Sequence, residues 1–184
     1  MLCPKLLVLI ILDAWGHRVV FVHVIVALLC FSACGKSQSL DEGTLVDKIV
    51  IVKSDHTMTM MSGERVIRAY KVALGRNPVG PKTRYGDHKT PEGLYVVDAK
   101  KSQSRFHLAL RLSYPNDADR ERAQRENVNP GGDVEIHGIE NGLGWIGALH
   151  RHADWTDGCI AVTDSEIDEI SKAVAAGTPV EIRP

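Results

Sequence analysis

The sequence predicts a mainly β (α+β) domain of sandwich-like build, with one or two short helices. Three observations carry this. Short runs rich in β-branched residues recur from residue 48 onward, separated by turn residues. Only two stretches have the composition or capping of a helix. Residues 75–93 (GRNPVGPKTRYGDHKTPEG) hold too much glycine and proline for a helix or a central strand. Many short strands with few helices make a β-rich layered domain.

The elements follow in order. "KIVIVKS", from Lys48, is a strand, and Ser54-Asp55-His56 turns the chain. "TMTMM" and "RVIRAYKVALG" are the next two strands, joined at Ser62-Gly63, so the domain opens with antiparallel strands and tight turns. Residues 75–93 form a long loop, and long loops in compact domains are usually functional or disordered. Strands resume with "LYVVD" (94–98) and "RFHLALRLS" (105–113). Residues 116–127 (NDADRERAQREN) predict a short exposed helix, ended by Pro130-Gly131-Gly132. "DVEIHG" (133–138) is a brief strand, and residues 139–158 read as loop. The clearest helix spans 163–176: Thr163 and Glu166 form a capping box, and Ile167, Ile170 and Val174 share one face. Gly177 and Pro179 stop it, and "PVEIR" is the last strand.

The 184 residues suffice for one domain with a real core. With 22 basic and 23 acidic residues the net charge is −1, and aromatics are only 5%, which argues against a nucleic-acid partner. The first 34 residues are different. Two apolar runs, 6–12 and 19–31, are split by Asp13, Gly16, His17 and Arg18. Neither reaches the roughly 18–20 apolar residues that span a bilayer. The second fits the core of a secretory signal with Arg18 as its basic flank. Its end, Phe31-Ser32-Ala33-Cys34, resembles a bacterial lipoprotein signal cleaved before a lipidated Cys34. An uncleaved anchor or ordinary signal is the alternative. The expected organisation is a signal or anchor segment at 1–34, a polar linker at 35–47 and one folded domain at 48–184.

Cysteine arithmetic narrows the chemistry. Cys3 and Cys30 fall inside the targeting segment, which leaves Cys34 and Cys159. If Cys34 is acylated, Cys159 has no intramolecular partner. A lone thiol in an oxidising compartment is a liability unless it is buried or has a task. The residues alone allow an inert core thiol, a zinc ligand with His150, His152 and Asp154, or a nucleophile. A thiol near pKa 8.5 is mostly protonated at neutral pH, and an adjacent imidazole can take its proton. His137 ends a strand 22 positions before Cys159 (159 − 137), within reach if the loop folds back. Gly138 gives the backbone room to turn. Gly158 admits a substrate carbonyl, and its N–H with that of Cys159 would stabilise an oxyanion.

At this point the motifs resemble a known family. "IHG" at 136–138, "WTDGCIAVTDSEIDEI" at 155–170 and "GTPVEI" at 177–182 are similar to the YkuD-type L,D-transpeptidase catalytic family. "VALGRNPVGPKTRYGDHKTPEGLYVV" resembles that family's N-terminal half. "YPN" at 114–116 and "WTDGCIAV" look most like its YafK-like branch. The resemblance covers roughly 48–184 and implies a β-rich L,D-transpeptidase catalytic domain acting on peptidoglycan stem peptides. It implies Cys159 as nucleophile, His137 as general base and then acid, Gly138 as the carbonyl that orients the imidazole, and Gly158 in the oxyanion hole. Thr156 matches the Ser/Thr of the usual Ser/Thr-His-Gly-Cys motif. Asp157 replaces the usual His, and Ala161 stands where many members have Arg or Asn. Both positions line the substrate cleft in the family, and His152 and Trp155 are further expected lining residues. An Asp beside the thiol would raise its pKa.

No cofactor and no metal are expected. The expected place is the bacterial envelope, on the periplasmic side, held at the membrane by the N-terminal segment or a lipid on Cys34. The expected activity is a cysteine L,D-transpeptidase working through a Cys159 thioester. Hydrolytic release of peptide or attached protein from the wall, or wall binding without catalysis, are the alternatives. A zinc hydrolase using His137, His150 or His152 is the reading from outside the family. Trp145 packs loops. Lys82, Tyr85 and His88 in the Gly/Pro loop are read as structural or solvated.

Overall fold

The computed structural model describes Gly43 and residues 45–184. The expected signal segment 1–34 with Cys34, and most of the linker, lie outside the described residues.

Alternation of side chains sets the opening strands. In β2 (Thr57–Ser62) Met58 and Met60 are fully buried while Thr57, Thr59 and Met61 are half-buried, the period-2 pattern of a strand with one face inward. β1 (Lys48–Val52) buries Ile49, Val50 and Ile51 in succession. It lies between β2, antiparallel, and the last strand β8 (Pro179–Arg183), parallel. β3 (Arg65–Lys71) pairs antiparallel with β2, as the opening pattern predicts.

β4 (Gly93–Ser104) is longer than "LYVVD" suggested, and its polar second half explains why. Gly93–Val96 pair with β8, whereas Val97–Ser104 pair with β5 (His107–Leu112), so one strand serves both halves of the sheet. β6 (Glu135–His137) and β7 (Ile160–Ala161) complete the order β3-β2-β1-β8-β4-β5-β6-β7. The two ends then meet. Ala73, just past β3, donates to Ala161 O at 3.0 Å, and Ala161 donates to Ala73 O at 2.8 Å. The sheet wraps a core that includes Ile49, Met60, Leu110, Ile136, Ile160 and Ile182. Each such side chain stabilises the fold by roughly 1.5–3 kcal/mol.

α1 (Asp117–Arg125) starts at Asn116, whose side chain caps Asp119 N while the Asp119 carboxylate returns to Asn116 N. It ends at Glu126, before Pro130, because Asn127 turns the chain with φ +52°. α2 (Asp164–Ala173) has the predicted Thr163–Glu166 box and buries Ile167 and Ile170. Val174 is already extended, so this helix is shorter than predicted. The stretch 139–158, read as loop, contains a third helical piece: a 3₁₀ segment, Gly144–His152, kinked at Gly147 where φ is +49°. An Arg151–Glu166 ion pair ties it to α2. Among the described residues no helix is long and apolar enough to cross a membrane.

Candidate active site

β6 and β7 run parallel, with Ile136 opposite Ile160 and His137 opposite Ala161. Ile136 and Ile160 are fully buried in the core. Alternation therefore turns their neighbours, Glu135, His137 and Cys159, to the opposite face. Continued by one residue, the register sets Cys159 across from Glu135 and diagonal to His137. The two residues line one cavity of about 200 Å³. The strand ladder, rather than a folded-back loop alone, brings them together.

His137 is held on three sides. Its Nδ1 lies 2.6 Å from Gly138 O, so this nitrogen carries the proton and donates. Nε2 keeps the lone pair and is the basic atom. Phe106 stacks on the ring, with centroids 4.4 Å apart and planes at 26°. Trp155 meets it edge-on at 5.7 Å. Burial holds the imidazole pKa below its ordinary value, although the Gly138 carbonyl and the Glu135 charge pull the other way. Gly138 is required by space: a Cβ would lie 2.7 Å from Asp164 Oδ1 and 3.1 Å from Phe106 O. That Asp164 oxygen accepts from Ile139 N at 2.8 Å, so the first turn of α2 fixes the His-Gly step.

Cys159 is half-buried, and its Sγ donates to Asp133 O at 3.6 Å. Burial, with smaller contributions from the charges of Glu135 and Asp157, pushes the thiol pKa up to about 11. The Glu135 backbone hydrogen bond and Lys82 act against this. The resting pair is therefore a thiol beside a neutral imidazole. Thr156 shapes the turn before the sulfur. Its hydroxyl donates to Cys159 O at 2.8 Å and accepts from Gly158 N at 3.1 Å. Thr156, expected to touch substrate, borders the cavity of His137 and Cys159 but is buried and spends its hydroxyl inside the turn. The Gly158 N–H, expected in the oxyanion hole, is engaged by the same hydroxyl. Gly158 has φ +131°, and a Cβ there would stand 2.5 Å from Lys89 O. The glycine lets the 82–89 loop pack against the turn.

The remaining expected residues divide. Trp155 walls the cavity of His137 and donates from Nε1 to His150 Nδ1 at 3.3 Å. His150 is buried behind it, with its pKa lowered to about 4, mainly by burial and next by Arg151. His152 is exposed and lines neither this cavity nor the next. Asp154 accepts from His56 Nε2 at 2.9 Å and Leu74 N at 2.8 Å, so the zinc set weighed above is scattered. Among the described residues no three His, Cys, Asp or Glu side chains are grouped to hold a metal. Asp157 is exposed, and its Oδ1 lies 2.8 Å from His88 Nδ1 and 3.3 Å from an Arg76 nitrogen.

Asp157 and Cys159 also line a second cavity, of about 360 Å³, with Lys82, Tyr85, His88 and Asp133. Lys82 is buried and paired with Asp87 at 2.8 Å, Tyr85 is largely exposed, and His88 is half-buried, so the structural and solvated readings hold for the first two while all three border this cavity. Sequence reasoning missed Phe106, Arg76, Arg105 and Glu140 around the first cavity. Strand alternation places Phe106 beside β5 but gives no hint of its imidazole partner.

Known proteins share this domain and its fold. The model of the L,D-transpeptidase catalytic domain, YkuD, matches residues 47–182. YafK of Escherichia coli, named as a candidate L,D-transpeptidase, is 28% identical over 177 residues, covering 86% of this chain and 64% of its own. This chain therefore spans less than two thirds of the curated relatives it matches. Among solved structures, the helical cell shape determining protein Pgp2 of Campylobacter jejuni is 25% identical with a TM-score of 0.60, over 74% of this chain and 47% of that one. An L,D-transpeptidase from Mycobacterium smegmatis, 18% identical over 74% of this chain and 58% of its own, shares the fold at a TM-score of 0.50.

Proposed function

Since the chain belongs to the YkuD L,D-transpeptidase catalytic domain family, we propose that it is a peptidoglycan-modifying enzyme that works through a thioester on Cys159. The observation that carries this is the placement of Cys159 and His137 on one face of adjacent strands, with His137 Nδ1 fixed by Gly138 O and Nε2 left as base. His137 Nε2 takes the thiol proton as sulfur attacks the carbonyl at the L-centre of a stem-peptide diamino acid. The same nitrogen then gives that proton to the leaving amine. Because both groups rest uncharged, the proton moves during the attack instead of in a preformed ion pair. The Cys159 N–H is the candidate donor to the oxyanion.

The acyl group then passes to an amine, giving a cross-link, or to water, giving a shortened peptide or released protein. The N-terminal segment, through Cys34 or as an anchor, would keep the domain on the periplasmic side of the membrane, facing the wall.

The test is incubation of the full chain with purified wall peptides, followed by mass spectrometry. A thioester on Cys159 and altered peptides are expected, and both disappear in Cys159→Ala. Equal turnover by that variant would sink the cysteine mechanism. Unaltered peptides with the native chain would leave wall binding without catalysis as the function.

A further inference from the structure

We infer that His88, oriented by Asp157, is a second general base that activates the acyl acceptor. This rests on the thioester mechanism above and deepens it. Cys159 opens on two cavities, and each has its own histidine: His137 in the smaller, His88 in the larger. Asp157 and Cys159 border both.

His88 is built in place. Its Nδ1 lies 2.8 Å from Asp157 Oδ1, a carboxylate oxygen that can only accept, so Nδ1 carries the proton and Nε2 holds the lone pair. An Arg76 nitrogen lies 3.3 Å from the same oxygen. The His88 backbone is left-handed at φ +55°, an uncommon state for a side chain of this size. Two glycines let it approach. A Cβ on Gly75 would lie 2.3 Å from His88 O and 3.1 Å from Gly158 Cα, so the two loops converge there. A Cβ on Gly158 would strike Lys89 O. The main chain beside the nucleophile thus packs on Lys89, the neighbour of His88, with Gly75 wedged between His88 O and Gly158.

An acceptor that enters through the larger cavity meets His88 there and not His137. During acylation His137 takes a proton from sulfur and passes it to the leaving amine, and so ends neutral. The second half requires a proton to leave the incoming amine or water. His88 Nε2 takes it as the acceptor's lone pair forms the new bond to the thioester carbon. The C–S bond breaks, and the sulfur receives one proton from the imidazolium through solvent in the shared cavity. The acceptor loses one proton and Cys159 regains one. Asp157 is a positioning residue in this scheme.

His88→Asn is the discriminating variant. Asparagine tolerates the left-handed backbone and keeps a donor toward Asp157, but it lacks the distal nitrogen. With disaccharide-tetrapeptide as substrate and the full chain in detergent, the burst of released leaving group should stay within about threefold of the native rate. Steady turnover should fall about 100-fold, the size of a lost general base. The Cys159 acyl-enzyme should accumulate by intact mass, and added imidazole should restore part of the turnover. Asp157→Asn should slow the same step by a smaller factor.

Native-like turnover in His88→Asn without an accumulated thioester would overturn the inference. So would a burst and turnover that fall together, since His88 would then only bind substrate or shape the cleft. Absence of any thioester in the native chain would instead overturn the proposed function, and this inference with it.

Discussion

The ring of Phe106 lies on the imidazole of His137, with centroids 4.4 Å apart and planes inclined by 26°. The contact is nearly face to face, so it fixes the plane in which Nε2 can meet the thiol. Phe106→Ala should therefore slow thioester formation more than it weakens substrate binding. A loss of about 10- to 100-fold in acylation rate is expected, with little change in KM. Stopped-flow acylation by a carbapenem measures it, and unchanged acylation would show that Gly138 O and Trp155 hold the ring without Phe106.

Thiol alkylation by iodoacetamide should be slow at neutral pH and should climb toward pH 11, because burial holds the Cys159 thiol at about 11. Stability moves the opposite way. The folded state retains a proton that the unfolded thiol releases above its ordinary value near 9. The domain should lose stability as pH rises from 9 toward 11, and Cys159→Ala should lose less. Rate and melting curves against pH check both.

Acid should act through His150. Its folded pKa of about 4 lies below the ordinary 6.5, so between these values the unfolded state binds more protons and stability falls as pH falls. The loss from this group is on the order of 3 kcal/mol by pH 4. Protonation also removes the acceptor that Trp155 Nε1 uses at 3.3 Å. Urea titrations at pH 7, 5 and 4 on the native chain and on His150→Phe should converge in acid. A variant as acid-sensitive as the native chain would assign the effect elsewhere.

Gly158→Ala should cost roughly 2–4 kcal/mol of stability and abolish turnover, since its Cβ would meet Lys89 O at 2.5 Å in a backbone at φ +131°. Denaturant unfolding would register this directly. A variant of native stability would mean that the 82–89 loop is free to shift away.

Thr156→Ser should behave like the native chain, whereas Thr156→Val should lose about 1–3 kcal/mol and slow acylation. The valine cannot bridge Gly158 N and Cys159 O, which the hydroxyl meets at 3.1 and 2.8 Å. Equal KM with reduced kcat in Thr156→Val would separate a turn brace from a substrate contact.

Much of this architecture is legible in local chemistry. The Thr163–Glu166 box is a short-range signal and starts α2 as read. The runs at 48–52, 57–62 and 179–183 announce their strands through β-branched and alternating side chains. β7 is only Ile160–Ala161, too short to carry a period, and exists because β6 and Ala73 hydrogen-bond to it. The 3₁₀ piece at 144–152 is likewise held partly by a distant partner, Glu166. At the site, Cys159 and His137 stand out by residue type. The His88–Asp157 contact spans 69 positions and rests on backbone approach at Gly75 and Gly158, which no local pattern encodes. Phe106 against His137 is hidden for the same reason.

The parallel pairing of β6 with β7 has a consequence for how such a protein can diversify. Nucleophile and base are joined by a ladder of main-chain bonds, while the chain between them, with exposed Leu143, Trp145 and Leu149, makes a separate excursion over the surface. That excursion is tied down at Glu140, which lines the cavity of His137, at His150, which accepts from Trp155, and at Arg151, which pairs with Glu166. The exposed side chains between these ties, Leu143, Trp145 and Leu149, are the ones that can vary with the reacting atoms left in register.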